Sequence, residues 1–170
     1  MNFPFTLRSR QPGFSFVELM VVVAMISVAL AVAIPGISSF MGGQRVRSAA
    51  LDFSAAAMFA RSEAMKRGAS VFIKAPGGAN DLAAGWCVIF SDSAADCDLS
   101  APGGAVMRLQ QPLPGVAISW ETTAGPIGFN TSGRLGAAVK LEFSEADNGG
   151  HLRCLTIDVS GSSTSKLGAC

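Results

Sequence analysis

The sequence predicts an α+β protein in which a long N-terminal helix precedes an antiparallel β head. Three observations support this class. An apolar run begins at Phe14, an Ala-rich stretch continues to Arg67, and short β-like runs separated by turn residues follow Gly68. The chain of 170 residues is long enough for one domain of ordinary size, or for a small domain with an appended segment.

The composition limits the classes of protein that fit. Hydrophobic residues make up 49% of the chain and charged residues 15%, which excludes a disordered polyelectrolyte. The formal net charge is +1, so the chain as a whole does not attract nucleic acid or an anionic membrane. A nucleic-acid role would therefore require a local basic patch.

The apolar run from Phe14 to Ile34 is long enough to cross a bilayer, since about twenty apolar residues span the hydrocarbon core. Arg8 and Arg10 precede it, and basic residues keep that end in the cytoplasm. No small-residue cleavage site of the secretory type closes the run. We therefore predict that residues 14–36 form a retained transmembrane helix and that the rest of the chain is exported.

Glu18 is the only charged residue of this run. A carboxylate inside an apolar segment is unfavourable by several kcal/mol unless it is neutralised or paired. One interpretation is a protonated side chain near the membrane edge. The other is a cation nearby, because cleavage after Gly13 would create an α-amino group at Phe14, one helical turn from Glu18.

Residues 13–19, Gly-Phe-Ser-Phe-Val-Glu-Leu, resemble the type IV prepilin signal. The resemblance implies that residues 1–13 are a leader, cut by a prepilin peptidase between Gly13 and Phe14. It also implies that Phe14 is N-methylated and that Glu18 docks on the N-terminus of an adjacent subunit. In that family the apolar helix stays attached and becomes the core of a filament.

The second part of the helix is predicted over residues 37–68 as an amphipathic segment. Pro35 and Gly36 precede it and predict a kink. Gly42 and Gly43 weaken the helix by about 1 kcal/mol each relative to Ala, which predicts a second flexible point. Gly68 is a natural stop. Its apolar residues include Leu51, Ala55, Met58, Ala60 and Met65.

The remaining residues, 69–170, are predicted to form a β-rich periplasmic head. A strong turn signal at residues 147–150 predicts a hairpin between the last two strands. No βαβ alternation is present, which disfavours a Rossmann or barrel enzyme. The predicted strands are Ser70–Lys74, Trp86–Phe90, Val106–Gln110, Val116–Glu121, Val139–Phe143 and Leu152–Val159.

Several segments of the head are similar to the GspH/FimT group of minor pilins and pseudopilins. They are Gly-Trp-Cys-Val-Ile-Phe at 85–90, Gly-Phe-Asn-Thr-Ser-Gly-Arg at 128–134, a Cys-containing last strand with a Ser/Gly-rich tail, and the helical stretch 59–68. The resemblance implies the type IV pilin fold, a long helix packed on an antiparallel sheet.

Four cysteines in sparse spacing favour disulfides over a zinc site. Three pairings are possible. We favour Cys87 with Cys97 and Cys154 with Cys170, because both pairs close short loops. An oxidising periplasm would support their formation.

The sequence contains no catalytic constellation, so we predict no enzyme activity, no cofactor and no metal site. His151 lacks a nucleophile or carboxylate at catalytic spacing and is interpreted as a strand-edge side chain. Asp92, Asp96 and Asp98 lack the spacing of an EF-hand, and a solvated loop is the favoured interpretation. Residues 130–132 fit a glycosylation sequon but are typical of a turn.

Some members of the FimT branch bind DNA through a Gly-Arg-x-Arg motif near the C-terminus. The corresponding tail here contains Lys166 and no arginine. Electrostatic affinity grows with the number of phosphates neutralised, so one cation binds DNA weakly. Lys166 and Arg134 are the candidate contacts, and DNA is the least favoured of the partners considered.

These observations predict a minor type IV pilin that is inserted into a pilus or primes its assembly. A GspH-like pseudopilin of a type II secretion system remains an alternative, and a pilus-displayed DNA receptor is another. The implied partners are other pilins or pseudopilins, the prepilin peptidase, the inner-membrane assembly platform and membrane lipid. The predicted location is the bacterial inner membrane, then the surface pilus after assembly.

Overall fold

A computed structural model describes residues 13–76, 80–90, 97, 106–122, 124–147 and 149–170, with side chains omitted at 32–39. The chain divides into two units, Met1–Ser39 and Phe40–Cys170. One long helix and two antiparallel sheets make up the described secondary structure, together with a short 3-10 helix, Leu82–Ala84. The α+β class is therefore confirmed.

Helix α1 spans Phe16–Arg67 and contains 52 residues. It begins two residues after the predicted start and ends where the sequence predicted. Gly68 has φ +62°, a left-handed conformation that glycine adopts without strain and that commonly ends helices. Lys66 and Arg67 lie in the last turn, where cations interact favourably with the helix dipole.

The head contains two four-stranded sheets, with strand orders β3-β2-β1-β5 and β4-β6-β7-β8. Every pairing between neighbouring strands is antiparallel. The β6–β7 pairing confirms the predicted hairpin. The strands are β1 Val71–Lys74, β2 Trp86–Ile89, β3 Val106–Gln110, β4 Val116–Trp120, β5 Ile127–Phe129, β6 Val139–Glu145, β7 Arg153–Ile157 and β8 Ser163–Leu167.

Two strands were missed. β5 has three residues, too few to show an alternating pattern. β8 has the sequence Ser-Thr-Ser-Lys-Leu, which reads as a polar tail because only pairing with β7 orders it. The prediction of one head sheet was also incomplete, since sequence runs do not specify which strands pair.

The core of the head lies between α1 and the two sheets. The buried face of α1 is rich in alanine, and small side chains allow strands to approach the helix closely. Phe53 is its largest buried residue, with its ring 4.9 Å from Trp86 and 6.1 Å from Phe143 in edge-on geometry. The buried face comprises Val46, Ala49, Ala50, Phe53, Ala56, Ala57, Ala60 and Ala64.

The prediction of an amphipathic helix needs a correction in its detail. Ala60 is buried, whereas Leu51, Met58 and Met65 are exposed by 51%, 57% and 47%. The larger apolar side chains thus lie outside the head core. The sequence identified them as apolar residues of the helix without indicating what covers them.

Candidate assembly interface

The residues predicted to be processed lie at the start of α1. Gly13 and Phe14 precede the helix, and the Phe14 side chain is 87% exposed. The Leu19 N–H donates a 3.2 Å hydrogen bond to the carbonyl of Ser15, which forms the first turn. The peptide bond between Gly13 and Phe14 therefore lies in non-helical backbone just before α1.

Glu18 lies in the first turn of α1 and is exposed. An acidic side chain there interacts favourably with the unpaired N–H groups and the positive end of the helix dipole. An α-amino group at Phe14 would lie one helical turn away. The docking role of Glu18 stays a prediction.

The first part of α1 is apolar on all sides. Every residue from 13 to 31 is exposed, including twelve large hydrophobic residues. An apolar surface of this extent requires another apolar environment, either lipid or further helices. Within the described part of the chain, no helix combines the length and the hydropathy required to span a membrane. The twelve are Phe14, Phe16, Val17, Leu19, Met20, Val21, Val22, Val23, Met25, Ile26, Val28 and Leu30.

Pro35 and Gly36 lie within the bounds of α1, and the kink stays a prediction.

Gly42 and Gly43 also lie in the helix, and the structure gives them a role that sequence reasoning missed. Their missing Cβ atoms leave room for Glu145 and His151. The paired glycines therefore allow close packing, whereas sequence alone indicated only flexibility.

His151 was interpreted as a strand-edge side chain, and this interpretation was wrong. It lies in a bend two residues before β7, with a left-handed φ of +51°. Its imidazole packs over Gly43, with Nδ1 3.1 Å from the position of a Cβ. The isolated Gly-Gly-His sequence could have suggested a turn residue, but it gave no indication of the contact with the helix.

The structure contains the two favoured disulfides. Cys87 and Cys97 are bonded at 2.09 Å and pack in a buried cluster with Ile89. Cys154 and Cys170 are bonded at 2.07 Å and attach the tail to β7. The N–H of Cys170 also donates to Glu142 Oε2 at 3.1 Å, which seats the tail against β6.

The second part of α1 has an exposed apolar row beside its buried face. Leu51, Met58 and Met65 are seven residues apart and so recur on one side of the helix. Phe40 and Met41 are exposed as well, by 63% and 48%. We call Leu51, Met58 and Met65 the exposed row. Its spacing is typical of a contact with another helix.

The two candidate DNA contacts lie on different elements. Lys166 is on β8, and Arg134 follows β5 in the other sheet; both are exposed. DNA contact by these residues stays a prediction. A third cation, Arg61, lies on α1. Its stem passes between Gly133 and Gly161, with Nε 3.1 Å from the Cβ position of Gly161.

Two further sequence candidates were the turn at Asn130 and the acidic residues considered as a metal site. Asn130 Oδ1 accepts hydrogen bonds from the N–H groups of Ser132 and Arg134, each at 3.0 Å, which confirms the predicted turn. The acidic residues Asp92, Asp96 and Asp98 lie outside the described residues. Among those that are described, no three potential metal ligands cluster.

Residues 49–163, more than half of the chain, match the family described as type II transport protein GspH. The chain belongs to the GspH family. Residues 8–34 match the prokaryotic N-terminal methylation motif, which includes the predicted cleavage point and Glu18. The two matches together confirm the resemblance to pilins and pseudopilins of the GspH/FimT group.

The GspH-family chain is also similar to two crystal structures of the type IV minor pilin FimU from Pseudomonas aeruginosa strain PAO1. The match to the FimU structure in space group P21 has a TM-score of 0.58 and 18% sequence identity. It covers 76% of this chain and 92% of the FimU chain. The match to the FimU structure in space group P65 has a TM-score of 0.53 and 18% sequence identity. It covers 72% of this chain and 92% of the FimU chain. The type IV pilin fold is thereby confirmed. A search of curated proteins finds no match.

Proposed function

We propose that this GspH-family protein is a minor type IV pilin, processed between Gly13 and Phe14 and inserted into a pilus or its priming complex. One observation carries the proposal. The first part of α1 exposes apolar side chains on all sides, while the head buries a core of its own. A chain divided in this way is suited to assembly through its helix and to display of its head.

In this proposal, assembly is a transfer of the apolar helix between two apolar environments. Residues 14–36 lie in the inner membrane before assembly and among the helices of other subunits afterwards. Because lipid and helix bundle both cover apolar side chains, hydrophobicity alone gives little preference for either. Glu18 makes the filament the preferred environment. Its carboxylate is unfavourable in lipid and is stabilised when it pairs with a cation.

The cation is the α-amino group that leader cleavage creates at Phe14 of a neighbouring subunit. Processing and docking are therefore linked, because an uncut chain has no amine at this position. The prepilin peptidase and the inner-membrane assembly platform are the required partners. The head, residues 69–170, lies in the periplasm, where the two disulfides can form.

A second candidate keeps the same assembly chemistry in another machine. The matched family is described as type II transport protein GspH, which favours a pseudopilin of a type II secretion system. The two candidates share the leader, the helix and the head. They differ in the filament that the subunit joins.

The experiment compares a deletion strain with the same strain complemented by the gene. A minor pilin needed for assembly predicts loss of sheared surface pili on deletion and recovery on complementation. Secretion of type II substrates is measured in the same strains. Normal pili with a secretion defect would replace the first candidate by the second, and two normal phenotypes would contradict both.

A further inference from the structure

The tip of the β6–β7 hairpin rests on two adjacent glycines of α1. The Glu145 carboxylate occupies the place that a Cβ on Gly42 would fill. The His151 imidazole lies beside Gly43, with Nδ1 3.1 Å and Cγ 3.3 Å from the position of its Cβ. A Cβ at Gly42 would require the Glu145 side chain to move, and a Cβ at Gly43 would press against the His151 ring. We call residues 145–147 and 149–151 the strap.

Hydrogen bonds fix the shape of the strap. The N–H of Glu145 donates to the carbonyl of Gly150 at 3.1 Å, and the N–H of Gly149 donates back to the carbonyl of Glu145 at 3.0 Å. The left-handed φ of His151, +51°, turns the chain toward the helix. Residues with a Cβ rarely adopt this conformation, so the surrounding contacts must hold it.

The strap is also anchored outside the hairpin. The N–H of Ala146 donates to the carbonyl of Gly115, which precedes β4, at 3.2 Å. Arg45 of α1 approaches the same turn, with Nη1 3.3 Å from the Cβ position of Gly115. Strand β4, the strap and α1 thus meet at one point.

The Glu145 side chain is only 14% exposed, and its Oε1 lies 3.8 Å from Nε2 of His151. Gly42 and Gly43 are half-buried beside these two side chains. Each Gly disfavours the helix by about 1 kcal/mol relative to Ala, so two in succession weaken it locally. Helical structure at Gly42 and Gly43 then depends on the contact with the strap.

We propose that the strap holds α1 helical at Gly42–Gly43, and that its release turns these two glycines into a hinge at the end of the head. The proposal concerns the folded chain and does not rest on pilus assembly.

The test is hydrogen exchange of the full chain in detergent micelles, resolved by mass spectrometry. Glu145→Ala with His151→Gly removes both strap side chains, and glycine relieves the left-handed φ. We expect amides 42–47 to exchange about tenfold faster, while amides 53–60 keep their rates. Asp147→Ala is the matched control, because it removes an exposed carboxylate from the same hairpin. Unchanged exchange at 42–47 would overturn the proposal.

A second variant separates local release from general destabilisation. Gly42→Ala with Gly43→Ala, added to the strap variant, should restore slow exchange at 42–47, because alanine favours the helix and the strap side chains are gone. In the natural background the same alanines should instead speed exchange of the strap amides, since they collide with Glu145 and His151. Failure of the alanines to restore protection, or faster exchange throughout 53–60, would refute the strap.

Discussion

The two parts of α1 are built in opposite ways. Residues 13–31 are exposed and carry large apolar side chains on every side. The segment 46–64 buries six alanines, Val46 and Phe53 in the core of the head. Alanine allows strands to approach within the same chain, whereas large side chains reach outward to a second molecule or to lipid.

Because of this difference, we expect one part of α1 to determine the stability of the head and the other part to determine assembly. Substitutions in 46–64 should change the free energy of unfolding of the head, because they alter its core. Substitutions in 13–31 should leave the head intact and change what the subunit joins. This assignment would be wrong if a substitution in 13–31 destabilised the head, or if a substitution in 46–64 changed assembly without changing stability.

Glu18→Ala should give the largest effect. We expect incorporation into the filament to be lost, because the variant removes the preference for the docked state, while leader cleavage continues. The measurement is immunoblotting of the sheared filament fraction and of the processed form in membranes. Ser27→Ala is a suitable control, since Ser27 is an exposed polar residue of the same helix whose hydroxyl donates to the Val23 carbonyl at 2.8 Å. Normal incorporation of Glu18→Ala would contradict the docking role.

Phe53→Ala should give the largest effect on stability. Phe53 is fully buried between Trp86 and Phe143, so its loss leaves a cavity. We expect a decrease of about 3–5 kcal/mol in the free energy of unfolding, measured by urea denaturation of the full chain in micelles. Val22→Ala, at a residue that is 48% exposed, should stay within about 0.5 kcal/mol. Equal losses in the two variants would show that 13–31 contributes to the head core.

Cys154→Ser with Cys170→Ser should give an intermediate effect. The bond closes a sequence separation of 16, for which loop entropy predicts a loss of about 3 kcal/mol. We expect the tail to detach from β6, seen as faster exchange at residues 168–170 and a lower urea midpoint. Insertion of α1 into micelles should not change. An unaltered midpoint would show that β8 pairing alone holds the tail.

The sequence was sufficient for features that depend on local chemistry. The Gly13–Leu19 motif, the long helix and the turn at 147–150 each rest on neighbouring residues, and the family match and the β6–β7 pairing agree with them. The processing, docking and kink roles of single residues remain predictions from the same motif.

Features that depend on distant packing could not be predicted. The Ser-rich strand β8 becomes a strand through its pairing with β7. Gly42 and Gly43 indicated flexibility because their contacts, Glu145 and His151, are about a hundred residues away in sequence. The exposed row was predicted only as part of the apolar side of an amphipathic helix, because periodicity identifies such a side without identifying what covers it.

Met58→Ala with Leu51→Ala should give the smallest effect on the fold. Both side chains are more than half exposed, at 57% and 51%, so the free energy of unfolding should change by less than about 0.5 kcal/mol. Incorporation into the filament should nevertheless fall, if the exposed row contacts another subunit as its spacing indicates. Leu167→Ala is the matched control, because Leu167 is an apolar residue of β8 that is 83% exposed and lies off the helix. Loss of stability without loss of incorporation would show that the exposed row supports the head core. The assembly surface would then be limited to the first part of α1.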